Sequence, residues 1–115
     1  MATGSVQSMT TVTTLDAAFN VSGLSPNAKI FAYKYLNLLF VVGYLNKATS
    51  GDIAFGSVIA TVSGVSLVWE TFDSPNSDSG DTARLILKTN GQIKAESAMK
   101  ADQWYSFSFT AVLNS

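Results

Sequence analysis

The sequence predicts an all-β protein: an antiparallel β-sandwich of jelly-roll or Greek-key type, with about eight strands. Three observations carry that expectation. β-Branched and aromatic residues fill the apolar runs, with Ser, Thr and recurrent Gly between them, a composition enriched in strands. Several runs alternate apolar and polar residues with a period of two. Turn signals separate the runs, among them Ser22-Gly23-Leu24-Ser25-Pro26-Asn27 and Asn90-Gly91.

Taken in order, residues 6–14 form a Thr/Val-rich strand within a lead-in segment, residues 1–14, and the β-sandwich domain covers residues 15–115. Residues 15–21 form a second strand, ended by the turn at 22–27. Residues 29–36 alternate, with Phe31, Tyr33 and Tyr35 on one side and Ile30, Ala32 and Lys34 on the other. A helix over residues 28–42 is the competing local reading, and the aromatic and β-branched content argues against it. Residues 38–45 are apolar on both faces. So are residues 53–62, with Ile53, Phe55 and Ile59 on one face and Ala54, Val58, Ala60 and Val62 on the other. An antiparallel strand normally wets one face. Two dry-faced strands therefore imply a sandwich centre or a strand that also meets a neighbouring subunit.

Residues 65–72 make the next strand, on which Trp69 shares a face with Val65 and Leu67 and is either core or a stacking surface. Residues 73–81 hold no apolar side chain besides Pro75, which predicts a surface loop. Residues 82–88 place Ala83, Leu85 and Leu87 on one face and Arg84, Ile86 and Lys88 on the other. Asn90-Gly91 then reads as a two-residue hairpin leading into residues 92–98. The last strand sets Tyr105, Phe107, Phe109, Ala111 and Leu113 against Trp104, Ser106, Ser108 and Thr110.

Composition excludes several functions. Seven basic and eight acidic residues give a net charge of −1, without the basic excess that phosphate neutralisation needs, so no nucleic-acid partner is expected. The absence of Cys and His excludes a thiol nucleophile, a Ser-His-Asp triad and His- or Cys-ligated metal. No cofactor is expected, because the glycines at 51–56 form neither a dinucleotide fingerprint nor a phosphate loop. Asp16, Asp52, Glu70 and Asp102 are glycosidase carboxylates by residue type alone, each near a strand end or turn where a solvated acid is expected. Asp73, Asp78 and Asp81 with Asn76 offer oxygen ligands for Ca²⁺, but lack the fixed glycine and terminal glutamate of a calcium loop, and no metal is expected. Mean hydropathy is positive, at +0.24. The clean apolar run at 38–45 is nonetheless far shorter than the ~20 residues of a spanning helix, so no membrane insertion is expected. The start Met1-Ala2-Thr3-Gly4-Ser5 has neither the basic residues nor the apolar segment of a secretion signal. With 47% apolar and only 13% charged residues, the surplus apolar surface is expected to lie against other subunits.

Three segments, in order, resemble a known family. They are Gly51-Asp52-Ile53-Ala54-Phe55-Gly56-Ser57-Val58-Ile59-Ala60-Thr61-Val62, then Arg84-Leu85-Ile86-Leu87-Lys88-Thr89-Asn90-Gly91-Gln92-Ile93, and finally Trp104-Tyr105-Ser106-Phe107-Ser108-Phe109-Thr110. This order is similar to the C-terminal head domain of receptor-binding proteins from tailed phages of Gram-positive hosts, notably lactic acid bacteria. Lys34-Tyr35-Leu36-Asn37-Leu38-Leu39-Phe40-Val41 resembles the first core strand of those heads. The chain departs from the pattern after Val62, where Ser63-Gly64-Val65-Ser66 holds no proline. The resemblance implies a homotrimeric head at the distal tail or baseplate of a virion, among other tail or baseplate proteins. It implies binding of host cell-wall polysaccharide without catalysis. The rival readings are a purely structural fibre tip or baseplate module and a polysaccharide-degrading tailspike fragment.

The family's ligand residues lie on variable loops, so the candidate saccharide site rests on residue chemistry. Trp69 supplies a stacking face, and Glu70, Asp73, Asn76, Asp78, Asp81 and Arg84 supply partners for sugar hydroxyls.

Overall fold

A computed structural model describes residues 11–48 and 51–114. Most of the predicted strand at residues 6–14 thus lies outside the described residues. Nine strands are present among the described residues: β1 (Thr13–Leu15), β2 (Ala17–Phe19), β3 (Lys29–Tyr35), β4 (Leu38–Asn46), β5 (Val58–Val62), β6 (Thr71–Asp73), β7 (Leu85–Leu87), β8 (Gln92–Ala95) and β9 (Trp104–Val112). There is no helix among the described residues, and 28–42 is strand and turn.

The strands form two antiparallel sheets, a four-stranded sheet ordered β9-β4-β3-β1 and a five-stranded sheet ordered β2-β5-β8-β7-β6. The order β5-β8-β7-β6 is a Greek key, read from its last strand back to its first. The chain passes between sheets at Asp16, whose carbonyl accepts from Ser63 N at 2.9 Å.

The last strand follows its sequence pattern along its whole length. Tyr105, Phe107, Phe109 and Ala111 are buried, while Ser106, Ser108 and Thr110 are exposed. β4 behaves likewise on its inner side, burying Leu39, Val41 and Leu45. These residues meet Ile59, Val62, Leu85, Leu87 and Ile93 of the other sheet in one core. Gly43 sits in the middle of β4 because the Phe107 ring takes the place of a side chain: a Cβ there would lie 2.5 Å from Phe107 Cζ. Tyr105 is tyrosine rather than phenylalanine at a buried position because its hydroxyl accepts from Lys100 N at 3.0 Å.

The other elements differ from the sequence expectation. Only Val58–Val62 of residues 53–62 is strand. Its register with β8 shifts between Val58 and Ala60. The extra residue lets Ile59 and Ala60 both face the core. A strict alternation therefore assigns the faces wrongly there. Phe55 does not share a face with Ile53. It projects from a turn before Gly56 (φ +86°), 70% exposed, while Ile53 pairs with Met99 and is buried. Of residues 65–72, only Thr71 and Phe72 are strand, and Leu67 makes an isolated bridge to Leu113.

The Asn90-Gly91 hairpin is present, but its loop has three residues, not two. Lys88 N donates to Gln92 O at 2.8 Å and Gly91 N to Lys88 O at 2.9 Å, with positive φ at Gly91 and not at Asn90. The tip then folds back so that Gly91 O accepts from Val62 N at 2.9 Å. By contrast, the β3–β4 connection is a true two-residue loop, since Tyr35 pairs with Leu38. Leu36 occupies its first central position at φ +56°, where glycine is the favoured residue.

Two glycine substitutions test this packing. A Cβ on Gly91 would meet Val62 O at 2.3 Å and sit at φ +90°. Gly91→Ala is expected to lower the unfolding free energy by about 2–4 kcal/mol, from left-handed strain plus overpacking. Gly43→Ala, which must displace the Phe107 ring, is expected to cost about 1–3 kcal/mol. Urea unfolding measures both, and a cost near zero at either site would contradict the packing described.

Candidate functional site

Of the predicted saccharide-site residues, Trp69 and Glu70 lie just before β6, Asp73 ends β6, and Asn76, Asp78, Asp81 and Arg84 lie on the 74–84 connection. The structure divides them into two groups. One faces outward from the five-stranded sheet. The other fastens the connection to the free edge of β9.

The outward group follows from the ladder between β6 and β7. Phe72 pairs with Ile86 and Thr71 with Leu87, which sets Glu70 across from Lys88 and brings Arg84 alongside Phe72. Glu70 and Lys88 form a salt bridge. Both side chains remain more than a third exposed, so the pair orients side chains more than it stabilises the fold. The Arg84 guanidinium lies over the Phe72 ring, 4.4 Å from its centroid. Trp69 is 60% exposed, so of the two alternatives for its indole, core or surface, it takes the surface. The face-sharing expected with Val65 and Leu67 does not hold, because the chain is not a regular strand before Thr71. Phe72 is 48% exposed.

The second group is engaged in structure. Ser108 N donates to Asp73 Oδ2 at 3.0 Å, and Trp104 N donates to Asp78 Oδ1 at 3.1 Å. Asp78 N returns a bond to Trp104 O at 3.1 Å. Gln103 Nε2 donates to Asp81 Oδ2 at 2.8 Å, and Thr82 Oγ1 donates to Asn76 Oδ1 at 2.6 Å. The segment expected to be a surface loop is thus partly interior. Pro75 is buried, and Ser77 is only 7% exposed. The Ser77 hydroxyl accepts from Asp81 N at 3.0 Å and Ser79 N at 3.2 Å, which folds the loop about it. Asp73, Asp78 and Asp81 are strung along the seam, and no cluster of three or more metal-ligating side chains occurs among the described residues. The candidate glycosidase acids are also dispersed. Asp52 Oδ1 accepts from Ala101 N at 2.8 Å, and Glu70 pairs with Lys88.

Sequence reasoning missed Phe72 and Lys88. A period-two signal for both was present, since Phe72 lies two residues beyond Glu70, and Lys88 shares the Arg84–Ile86 face. It also left Trp104 open between exposure and a subunit contact. The structure half-buries Trp104 and tilts its ring against Tyr44, with centroids 6.1 Å apart. No concave pocket is present among the described residues, so the surface around Trp69 is a shallow one. No protein-family model, curated protein or solved structure matches the chain.

The seam makes a prediction that separates structural aspartates from ligand-binding ones. Asp73→Ala and Asp78→Ala each strip an acceptor from a β9 amide and are expected to cost about 1–2 kcal/mol. Asp73→Asn and Asp78→Asn keep a carbonyl oxygen in place and are expected to restore most of that stability. Equal losses for the Ala and Asn variants in urea melts would contradict the role assigned to these bonds.

Proposed function

We propose that this chain is a receptor-binding head of a tailed phage that binds host cell-wall polysaccharide without catalysis, as a homotrimer at the distal tail or baseplate. The observation that carries the saccharide reading is the exposure of Trp69, next in sequence to Glu70 and three residues before Phe72, whose ring stacks with Arg84. An exposed indole offers a flat apolar face to the apolar face of a sugar ring. The Arg84 guanidinium and Glu70 carboxylate stand close enough in sequence and register to bond the ring's hydroxyls. The backbone beneath them is held by the β6–β7 ladder and by the seam to β9, so little ordering is left for the moment of binding.

Shallow sites of this kind bind weakly one at a time. Several copies engaged on a repeating polymer raise avidity by ~10²–10⁴, which is what a trimer contributes to the reading. The division of labour among the candidate residues supports it too. Trp69, Glu70 and Arg84 remain as ligand partners, and Asp73, Asn76, Asp78 and Asp81 act mainly by holding the connection in place.

Binding of the protein to purified wall polysaccharide of Gram-positive bacteria tests the proposal. Trp69→Ala and Arg84→Ala are each expected to weaken binding about tenfold or more, a loss of ~1.4 kcal/mol, with unfolding midpoints close to the parent's. Unchanged binding in Trp69→Ala would remove the site. Absence of any labelling of intact cells would favour the structural-module alternative, and release of reducing ends would favour the tailspike alternative.

A further inference from the structure

The Asn90-Gly91 pair has a chemical meaning besides its turn geometry. The side-chain amide of an asparagine is open to attack by the backbone nitrogen of the next residue. The attack is least crowded when that residue is glycine, which has no Cβ beside the nitrogen. No other asparagine in this chain is followed by glycine.

The hairpin holds both reacting groups. The nucleophile is Gly91 N, and its N–H donates to Lys88 O at 2.9 Å. The electrophile is the Asn90 side chain, which is turned toward Gln92: its Oδ1 accepts from Gln92 N at 3.1 Å and its Nδ2 donates to Gln92 Oε1 at 3.4 Å. On the far side, Gly91 O accepts from Val62 N at 2.9 Å. Gly91 is buried although Asn90 is exposed, so a base that would take the Gly91 proton must first break the bond to Lys88. The bond from Gln92 N favours negative charge on Oδ1, but the nucleophile beside it is still protonated and engaged elsewhere. Leu87 and Ile93 pair across the hairpin and are fully buried, which ties its opening to loss of the core.

We propose that Asn90-Gly91 is a latent site of self-modification, shut while the hairpin is formed and reactive once the hairpin opens. In the open chain Gly91 N gives up its proton and bonds to Asn90 Cγ. The Cγ–Nδ2 bond breaks, ammonia leaves with a proton, and a cyclic imide remains. Water then opens the ring at one of its two carbonyls. Cleavage of the new N–Cγ bond leaves aspartate with the main chain unchanged. Cleavage between Gly91 N and the residue-90 main-chain carbonyl carbon leaves isoaspartate, with the main chain rerouted through Cβ and Cγ. On either route one amide and one water become one carboxylic acid and one ammonia.

The two products meet the fold differently. Aspartate keeps an oxygen where Gln92 N needs one. Isoaspartate adds a carbon to the main chain at the tightest point of the loop, where even a Cβ on Gly91 would lie 2.3 Å from Val62 O and 2.8 Å from Val65 Cγ2. It also shifts the Gly91 N–H away from Lys88 O. The closed hairpin therefore takes back the first product and rejects the second, and each excursion to the open state risks a permanent mark.

Ageing the intact protein at mildly alkaline pH tests the proposal. Trypsin, cutting after Lys88 and Lys94, releases residues 89–94, in which Asn90 is the only asparagine. Mass reads conversion of the amide to the acid, and chromatography separates aspartate from isoaspartate. The folded protein is expected to convert at least about tenfold more slowly than a synthetic 89–94 peptide in the same buffer, because its rate is the open fraction multiplied by the open-chain rate. The protein held in urea is expected to match the peptide in urea. A folded protein that converts as fast as the free peptide, or faster, overturns the proposal. When chains aged in urea are returned to buffer, isoaspartate is expected to collect in the fraction that does not recover native circular dichroism. An even spread of both products over the two fractions overturns the difference assigned to them. Asn90→Asp is expected to unfold at a urea midpoint near the parent's, and a large drop would contradict the tolerance of the first product.

Discussion

The structure depends on what covers the outer edge of β9. That strand buries three alternating aromatic residues, Tyr105, Phe107 and Phe109, and it stands at the margin of its sheet. A bare strand edge leaves amide and carbonyl groups open to other chains. Here the chain returns along that edge twice. Residues 67–68 cover one end, and Asp73, Ser77 and Asp78 cover the middle and the other end. This closure joins the two sheets at one side, as the crossing at Asp16 joins them at the other. It also explains why so polar a segment is so well fastened: its carboxylates stand in for a neighbouring strand's carbonyls.

That arrangement also decides which polar side chains are left without a structural partner on β9. With one oxygen each of Asp73, Asp78 and Asp81 engaged along the seam, the polar side chains of this flank that are not tied to β9 or its approach include Glu70, paired with Lys88, and Arg84, stacked on Phe72. The scarcity of charge takes a spatial form as well. The outer face of the five-stranded sheet carries several ions and that of the four-stranded sheet carries Lys29 among the described residues, so a low average conceals two faces of unlike charge.

The sequence was most legible where burial alternates without interruption. In β9 every second residue from Tyr105 is core, and in β3 and β4 the paired faces follow from the same count. The apolar character of both faces of β4 was visible too, but not that only the inner face, Leu39, Val41 and Leu45, is buried while Val42 and Tyr44 are exposed. Legibility failed where the period slips. At β5 a single inserted residue buries Ile59 and Ala60 together, and no composition marks that position. Before β6, Val65 to Glu70 has the residues of a strand, yet Leu67 is drawn to Leu113 and Thr89 while Trp69 is left outside. The aspartates of 73–81 were legible as acids but not as edge caps, since their partners lie some 25 to 35 residues away in sequence. Contacts at that range leave no local trace.

Leu36 holds a left-handed backbone at the tip of the β3–β4 turn, a conformation costing a leucine roughly 1–2 kcal/mol, and its side chain stands in water. Selection for heat tolerance alone has a cheap improvement open to it there, a glycine or an asparagine reached without disturbing any packed neighbour. A lineage that retains the leucine under such pressure is retaining the greasy tip itself, and the residue found at this position after serial passage reports whether the tip is touched by anything outside the chain.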